Sequence, residues 1–110
     1  MSLKSMSGDR MLLVLAALAN PHCLRIVGAL QANGRNYVSR LAREVGISRP
    51  LLHLHLQRLE EAGLVQSRFE LSSDGKALNY FEVAEFGFEL SPSTVAEATK
   101  SLSASPAKSG

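Results

Sequence analysis

Cysteine and long apolar segments are both scarce in this chain of 110 residues. The single cysteine, Cys23, excludes an intramolecular disulfide and fits a reducing compartment. The longest apolar run, Met11 to Ala19, falls well short of the ~20 residues that a membrane-spanning helix needs. Charged residues precede this run and Asn-Pro follows it, which is not the layout of a signal peptide. We therefore expect a cytoplasmic protein with no membrane segment.

Aromatic residues are also few, four Phe and two Tyr, so the core must consist mainly of Leu, Val, Ile and Ala. The hydrophobic fraction of 45% is ordinary for a folded protein, and the length predicts one domain with a modest core. The sequence offers no recognisable set of nucleophile, base and orienting residue, no Gly-rich phosphate loop and no paired carboxylates on a defined scaffold. We expect neither an enzyme nor a bound cofactor.

Charge is unevenly distributed along the chain, although the net charge is only +2. Residues 21–68 contain seven arginines and three acidic residues, whereas residues 69–97 contain one lysine and six acidic residues. A basic middle beside an acidic end is typical of a polyanion-binding face that is backed by a different surface. Scattered, solvated charge is the alternative interpretation of this pattern.

Three helices are predicted before Gly46. The first is the run from Met11 to Ala19, which is apolar on nearly every face and must be covered on all sides. The second follows Asn20-Pro21, a cap and a first-turn proline, and covers roughly residues 21–31. Its expected core stripe is Leu24, Val27 and Leu30. The third, residues 38–45, carries apolar residues at i, i+3, i+4 and i+7, and Gly46 ends it.

A fourth helix begins after Ser48, which can cap it, and closes at Ala62-Gly63. At about 100° per residue, Leu52, Leu56 and Leu59 share one stripe that faces the core. His55 lies at the edge of this stripe, and the opposite half of the helix is mainly polar. The helix therefore has one face for the core and another that is free to contact a partner.

After Gly63 the apolar pattern changes from a helical period to a period of two. Residues 65–71 and 77–83 are predicted as the strands of a hairpin, joined by the turn Ser72-Ser73-Asp74-Gly75. The apolar residues at 86, 88 and 90 continue the alternation out of phase, which predicts an extra C-terminal strand after a bulge. Residues 94–102 could form a short helix, and we expect the remaining tail to be frayed.

The order of three helices, a glycine turn, a fourth helix and a hairpin is the plan of a winged helix-turn-helix domain. Within it, Ala42 is small where two helices cross, Gly46 makes the turn and Leu52 anchors the second helix. The predicted fold is mainly α with a small β wing (α+β), with an N-terminal dimerisation helix and the extra C-terminal strand. We expect a leader at 1–9, the winged-helix domain at 10–90 and a flexible or partly helical tail at 91–110.

The run from Leu18 to Tyr80 resembles the ArsR-type (arsenic-repressor-like) family of transcription regulators. Three stretches carry the resemblance: LANPHCLRIVGAL at 18–30, VSRLAREVGIS at 38–48 and RPLLHLHLQRLEEAGLV at 49–65, followed by the wing VQSRFELSSDGKALNYFEV. The resemblance implies a dimeric DNA-binding regulator with the second helix of the motif in the major groove and the wing beside it.

The chain also departs from the family pattern. Metal-sensing members carry Cys-x-Cys in the first helix of the motif, where this chain has Tyr37 and Ser39, so that thiolate site is absent. The family often carries Ser-x-His where this chain has His53 and His55. The final helix that many members use for dimerisation is expected to be absent or displaced, because the segment FGFELSP stands in its place.

The polar face of the fourth helix is the predicted base-reading surface. Arg can bond bidentately to guanine and Gln to adenine, and Pro or Leu can touch a thymine methyl group. Free N–H groups in the first turn of the helix can bind a phosphate, while other arginines and the wing meet the DNA backbone or the minor-groove edge. A solvated helix face is the alternative. The predicted DNA-binding residues are Ser48, Arg49, Pro50, His53, Leu54, Gln57, Arg58, Arg40, Arg43, Arg68, Ser73 and Lys76.

The histidines do not predict a metal site within one chain. His53 and His55 are two residues apart on a helix and so point about 200° apart. His22 and Cys23 are adjacent and also diverge, although across a dimer they could converge with acidic residues from beyond the wing. We expect no metal, and we expect Cys23 to be a small, partly buried residue of the core.

The predicted function is sequence-specific regulation of transcription by a homodimer on double-stranded DNA, with repression by blocking a promoter. A dimer would place two recognition helices about 34 Å apart on an inverted repeat. The expected dimer residues are Met11, Leu12, Leu15, Leu18, Phe86 and Phe88. Two alternatives remain open: a winged-helix module that binds proteins, and a regulator that responds to an unidentified effector, with Cys23 as a redox sensor.

Overall fold

The computed structural model describes residues 6–103, which form five helices and a three-stranded antiparallel sheet. The fold is mainly α with a small β wing, as predicted. In chain order, the elements are α1 (Gly8–Leu18), α2 (Pro21–Asn33), β1 (Asn36–Tyr37), α3 (Val38–Val45), α4 (Arg49–Glu61), β2 (Val65–Leu71), β3 (Ala77–Val83) and α5 (Pro92–Thr99).

The boundaries of the central helices follow from local capping. The Asn20 side chain accepts hydrogen bonds from the N–H groups of His22 (2.8 Å) and Cys23 (3.3 Å), so it caps α2. Gly46 ends α3 in the left-handed conformation (φ 83°), which a residue with a Cβ rarely adopts. The Ser48 hydroxyl accepts from the N–H of Leu51 at 3.2 Å and starts α4. The structure confirms these three predictions.

The core lies between α1, α2, α3 and α4, with one side closed by the sheet. Leu52, Leu56 and Leu59 of α4 are buried, as the sequence predicts. They meet the buried residues of the other elements: Val14, Ile26, Leu30, Leu41, Leu64 and Phe81. Aliphatic side chains therefore dominate the core, and Phe81 is its one fully buried aromatic residue in the described part of the chain.

The predicted core stripe of α2 is wrong by one residue. Cys23, Ile26 and Leu30 are buried, whereas Leu24 is 56% exposed and Val27 is only partly buried. The buried stripe is the one that faces α3, α4 and β3, against which α2 packs. Cys23 is thus fully buried and not the partly buried residue that we expected.

The hairpin forms between the two predicted strands, and its register places Val65 opposite Val83 and Leu71 opposite Ala77. The third strand is not the predicted C-terminal one. Asn36 and Tyr37 pair with Phe81 and Tyr80, so the free edge of β3 is occupied by a segment from before α3. Residues 84–90 form no strand. Their aromatic side chains pack against the core from irregular backbone instead.

A C-terminal helix, α5, follows the FGFELSP segment, close to the short helix that the sequence allowed at residues 94–102. A capping box between Ser91 and Thr94 starts this helix, and the helix packs against α1. Gly8 lies at the crossing, since a Cβ there would overlap the carbonyl oxygen of Ala98. The N–H of Gly8 also donates to the Ser101 hydroxyl at 2.9 Å. The first turn of α1 therefore begins within the predicted leader, and its Gly8 bonds to Ser101 of the predicted tail.

Candidate nucleic-acid interface

The outer face of α4 carries the predicted base-reading side chains. Every one of them is exposed: Ser48, Arg49, Pro50, His53, Leu54 and Gln57. Leu54 is 44% exposed, whereas Leu56, two residues further along the same helix, is 1% exposed. This contrast follows from the helical period, because residues two apart point to opposite sides of the helix. The structure thus brings these side chains to one solvent-facing surface at the front of α4.

A groove of about 340 Å³ runs beside the front of α4. Arg49 and His53 form one wall, residues 37–39 at the start of α3 form the second, and residues 77–79 of β3 form the third. No side chain caps the N-terminus of α3, so its first N–H groups are open to an anion. The groove therefore joins a cationic side chain, a helix N-terminus and the wing.

Tyr37, Ser39 and Asn79 are groove residues that were not predicted from the sequence. The pairing of β1 with β3 brings them together, because it sets the start of α3 against the wing strand. A strand of two residues carries no periodic signal. Only the turn residues before Asn36 indicated that the chain changes direction there.

The arginines predicted to contact phosphates lie in different places, on α3 and near the C-terminal end of α4. Arg40 and Arg43 are exposed on α3, and Arg40 Nε lies 3.8 Å from a carboxylate oxygen of Glu44. Arg58 lies near the other end of α4, where it borders a cavity with Glu61 and residues of α1. Nine residues of helix separate Arg58 from Arg49, which is about 13 Å. The front of α4 and Arg58 would therefore reach different parts of a bound polyanion.

Two arginines at the sheet, one of them in the wing, are paired with carboxylates. A guanidinium nitrogen of Arg68 lies 3.7 Å from Glu82, and Arg35 donates to Glu70 at 2.6 Å while lying over the Tyr80 ring. The hydrogen bond from Arg35 lowers the pKa of the Glu70 carboxyl and holds it ionised. Both pairs are exposed to solvent, and such pairs are weak enough to exchange for other partners.

The tip of the wing is a tight turn held by its own polar groups. Asp74 accepts hydrogen bonds from the Ser72 hydroxyl and from the N–H of Lys76, and the first of these bonds is the main cause of the lowered pKa of its carboxyl. Gly75 has a φ of 86°, which the turn requires. Ser73 and Lys76 are exposed on either side of it. Asp74 thus belongs to the turn, which leaves Ser73 and Lys76 free to meet a ligand.

The structure brings together His22, Cys23 and His55, which the sequence did not associate. Cys23 Sγ lies 3.6 Å from His55 Nδ1, and the centroids of the His22 and His55 rings are 5.3 Å apart. Burial raises the pKa of the Cys23 thiol, so the thiol keeps its proton at neutral pH. His55 Nε2 has no hydrogen-bond partner among the described residues.

This cluster is part of the core rather than an open site. His55 is 4% exposed and Cys23 1% exposed, and burial, with the nearby His22 and Arg58, lowers the pKa of the His55 imidazole. Within residues 6–103, no group of three or more His, Cys, Asp or Glu side chains is arranged to hold a metal ion. In the same range, no single helix is long and apolar enough to cross a membrane.

The expected dimer residues are divided between the surface and the core. Leu12 is 57% exposed, but Met11 is only 6% exposed and lines a cavity inside the chain with Phe88 and residues of α5. Leu15, Leu18 and Phe86 are partly buried. Leu12 and Leu15 instead line a shallow apolar trough of about 140 Å³ with residues 95, 98, 99 and 102.

Known proteins are similar to this chain in sequence and in fold. A family model described as a helix-turn-helix domain matches residues 18–68. An uncharacterized HTH-type transcriptional regulator of Methanocaldococcus jannaschii is 36% identical over 72 residues, which cover 66% of this chain and 74% of the relative. A homodimeric winged helix-turn-helix DNA-binding domain from Mycobacterium bovis, described as a possible ArsR-family regulator, matches with a TM-score of 0.61 and 29% identity, over 81% of this chain and 70% of that one. This chain belongs to the ArsR-type family of winged helix-turn-helix transcriptional regulators.

A second helix-turn-helix regulator of the same archaeon is also similar to this chain. The HTH-type transcriptional regulator Ptr1 of Methanocaldococcus jannaschii is 33% identical over 79 residues, which are 72% of this chain but only 53% of Ptr1. The resemblance inferred from the sequence is thereby confirmed. As an ArsR-type regulator, the chain has Tyr37 and Ser39 where metal-sensing members carry their cysteines, so it lacks that thiolate pair.

Proposed function

We propose that this ArsR-type regulator binds double-stranded DNA as a homodimer in the cytoplasm and represses transcription by occupying an inverted repeat. The observation that carries the proposal is the solvent-facing front of α4. On that face an arginine, a histidine and a glutamine surround an exposed leucine, while the opposite face of the helix fills the core. A face of this composition matches the donor and acceptor pattern of the major groove. The site offers no catalytic set, and the proposal includes no catalysis.

Base reading is assigned to the exposed face of α4. Arg49 can donate two hydrogen bonds to guanine, and Gln57 can bond both to donor and acceptor groups of adenine. The two residues are eight positions, about 12 Å, apart along the helix, so they would read different base pairs of one half-site. Pro50 and Leu54 supply the apolar surface that a thymine methyl group can contact.

Positioning on the DNA backbone is assigned to the residues around that face. The uncapped N-terminus of α3 and the cap of α4 at Ser48 present N–H groups, and Arg40 and Arg43 add mobile charge. Arg58, Arg68, Ser73 and Lys76 complete the proposed set. Arg68 would exchange its carboxylate partner, Glu82, for a phosphate, which costs little for an exposed pair.

The dimer would form through the apolar trough between α1 and α5. Leu12, Val95 and Leu102 are 57%, 42% and 43% exposed, and together they make a continuous apolar strip. Exposed apolar strips of this kind are typical of contacts between subunits. The surface of the Met11 and Phe88 side chains is already used inside the chain, so these two residues would support the interface from beneath.

The first experiment is selection from a random duplex library, followed by titration of the recovered pool at two salt concentrations. An enriched inverted repeat, with log affinity falling by about 0.9 per phosphate contact for each unit of log salt, is the expected result. Weak binding with a flat salt dependence and no enriched sequence would contradict the proposal and favour a protein partner.

Base reading is tested by the double variant Arg49→Ala with Gln57→Ala. We expect it to lose roughly 2–5 kcal/mol of specific binding, at ~1–3 kcal/mol per good base contact, without loss of stability. The matched control is Arg25→Ala with Gln31→Ala, the same two residue types at exposed positions of α2. If both double variants bind the selected site like the parent, the assignment of base reading to α4 is wrong.

A further inference from the structure

The wing carries the two most exposed large apolar side chains among residues 6–103. Leu71 is 72% exposed and Phe69 68% exposed. Both belong to β2, where they are two residues apart and therefore point to the same side of the strand. Single exposed leucines are ordinary, but a phenylalanine and a leucine side by side on one exposed strand face need a partner.

This apolar pair faces the same side as the proposed DNA-reading surface. Ser67, two residues before Phe69 on the same strand face, donates a hydrogen bond to Glu60 of α4 at 2.9 Å. The cross-strand partners of Phe69 and Leu71 are Asn79 and Ala77, and both line the groove beside the front of α4. Residues opposite each other in an antiparallel pair share a face of the sheet. The pair therefore lies next to the groove, on the strand that neighbours residues 77 and 79.

The charges around the pair do not make the wing a strong phosphate clamp. On the other face of β2, the Arg68 side chain lies beside Glu82, and Glu70 is bound by Arg35. In the turn, Asp74 lies two residues from Lys76. Attraction to phosphates is thus largely balanced in this hairpin, and the apolar side chains are its most prominent surface.

We propose that Phe69 and Leu71 enter the minor groove next to the half-site read by α4, and that they act as an apolar wedge between base steps. The proposal rests on the DNA-binding function proposed above and adds a second, shape-dependent element of specificity to it. Apolar side chains inserted in this way partly unstack a step and kink the duplex toward the major groove. The preferred steps would be the easily unstacked TA and CA/TG steps.

The test uses the full chain and the duplex recovered by selection, with 2-aminopurine placed at the step under the wing. The fluorescence of this base rises when it is unstacked, and a circular-permutation gel assay reports the bend of the same duplex. The variants are Phe69→Ala with Leu71→Ala, and as a control Leu24→Ala, which removes an exposed apolar side chain from α2, away from the wing. Lys76→Ala tests the electrostatic contribution of the wing separately.

We expect the parent to raise the fluorescence and bend the duplex, and the wing double variant to lose both signals with roughly tenfold weaker binding. Its salt dependence should stay that of the parent. Lys76→Ala should instead lower the salt slope by about 1 and keep the bend. If the parent binds without unstacking the base, the wedge proposal is wrong. It is also wrong if the double variant bends the duplex as the parent does. In both cases the proposed DNA binding still stands.

A double variant that changes only the sedimentation of the free protein would also contradict the wedge, and it would favour a contact between copies of the chain. A parent that binds no duplex refutes the proposed function itself, and the wedge with it.

Discussion

Leu54 and Leu56 show how one helix of this regulator divides its side chains between two environments. The two leucines are two positions apart on α4, yet one is 44% exposed and the other 1% exposed. Removing a buried leucine costs the transfer free energy of its atoms and leaves a cavity, whereas removing an exposed one costs little. Stability and DNA recognition can therefore be altered separately in the same helix.

We predict that Leu56→Ala lowers the free energy of unfolding by roughly 2–5 kcal/mol, and that Leu54→Ala changes it by less than about 0.5 kcal/mol. Urea unfolding followed by circular dichroism measures both. Leu54→Ala should nevertheless weaken binding to the selected duplex. Equal losses of stability for the two variants would show that α4 is not oriented as described.

His55 predicts a pH dependence of stability. Burial lowers its pKa in the folded chain, with smaller contributions from His22 and Arg58, and the ordinary value of about 6.5 applies to the unfolded chain. Between these two values the unfolded chain binds the proton more readily than the folded chain. Stability should therefore fall as the pH falls below about 6.5, until the lower folded pKa is reached.

Unfolding by urea at a series of pH values between about 7.5 and 5.5 measures this dependence. We expect His55→Gln to flatten the curve, because it removes the group whose pKa differs between the two states. His53→Gln, an exposed position on the same helix, should leave the slope unchanged. A curve that is equally steep in parent and His55→Gln would assign the dependence to another group.

At the scale of elements, the crossing of α1 and α5 depends on Gly8. A methyl group there would overlap the backbone carbonyl of Ala98, and backbone cannot move aside as a side chain can. We predict that Gly8→Ala loses about 1–3 kcal/mol of stability, as overpacked sites do. Gly28→Ala is the control, since a Cβ on this α2 residue would meet nothing within 4 Å. It should be stabilising by about 0.5–1 kcal/mol. Thermal unfolding compares the two.

The elements that the sequence predicted well are those set by local chemistry. Caps at Asn20 and Ser48, the glycine turn at Gly46 and the period of α4 need only neighbouring residues, and each is present. The errors concern choices made by packing. The α2 stripe depends on the packing of α2 against α3, α4 and β3, which no pattern within α2 encodes. Residues 86–90 alternate like a strand, but the edge of β3 that they would need is already taken by β1.

The candidate site also has one part that local sequence patterns predict and another that depends on packing. The exposed face of α4 could be predicted from the helical period, because that face and the core face are two halves of one pattern. The groove could not, since it joins Tyr37, Arg49 and Asn79 from three elements. The contact between Cys23 and His55 was also missed, because residues 32 positions apart in the sequence leave no spacing signal.

At the scale of the whole molecule, the proposed dimer links two weak half-site interactions into one strong interaction. One winged-helix domain offers a single recognition helix, whereas two copies joined through the trough between α1 and α5 would bind both halves of a repeat at once. The second half-site then binds within the complex at a high effective concentration, and this gain can reach roughly 10²–10⁴-fold in affinity. Loss of the dimer should remove this gain and leave each α4 surface intact.

The variant Leu12→Glu with Val95→Glu tests this by placing two carboxylates in the exposed part of the trough. We predict a monomer in sedimentation, with affinity for the full repeat reduced toward that for a single half-site, because like charges and buried carboxylates both oppose the contact. Leu24→Glu introduces one carboxylate at a leucine of α2 that is as exposed as Leu12, and this variant should stay dimeric. The double variant should bind a single half-site as tightly as the parent does. Equal half-site affinity shows that the variant is folded and has lost only its dimer contact. A double variant that remains dimeric would move the interface away from α1 and α5, to another apolar surface of the chain.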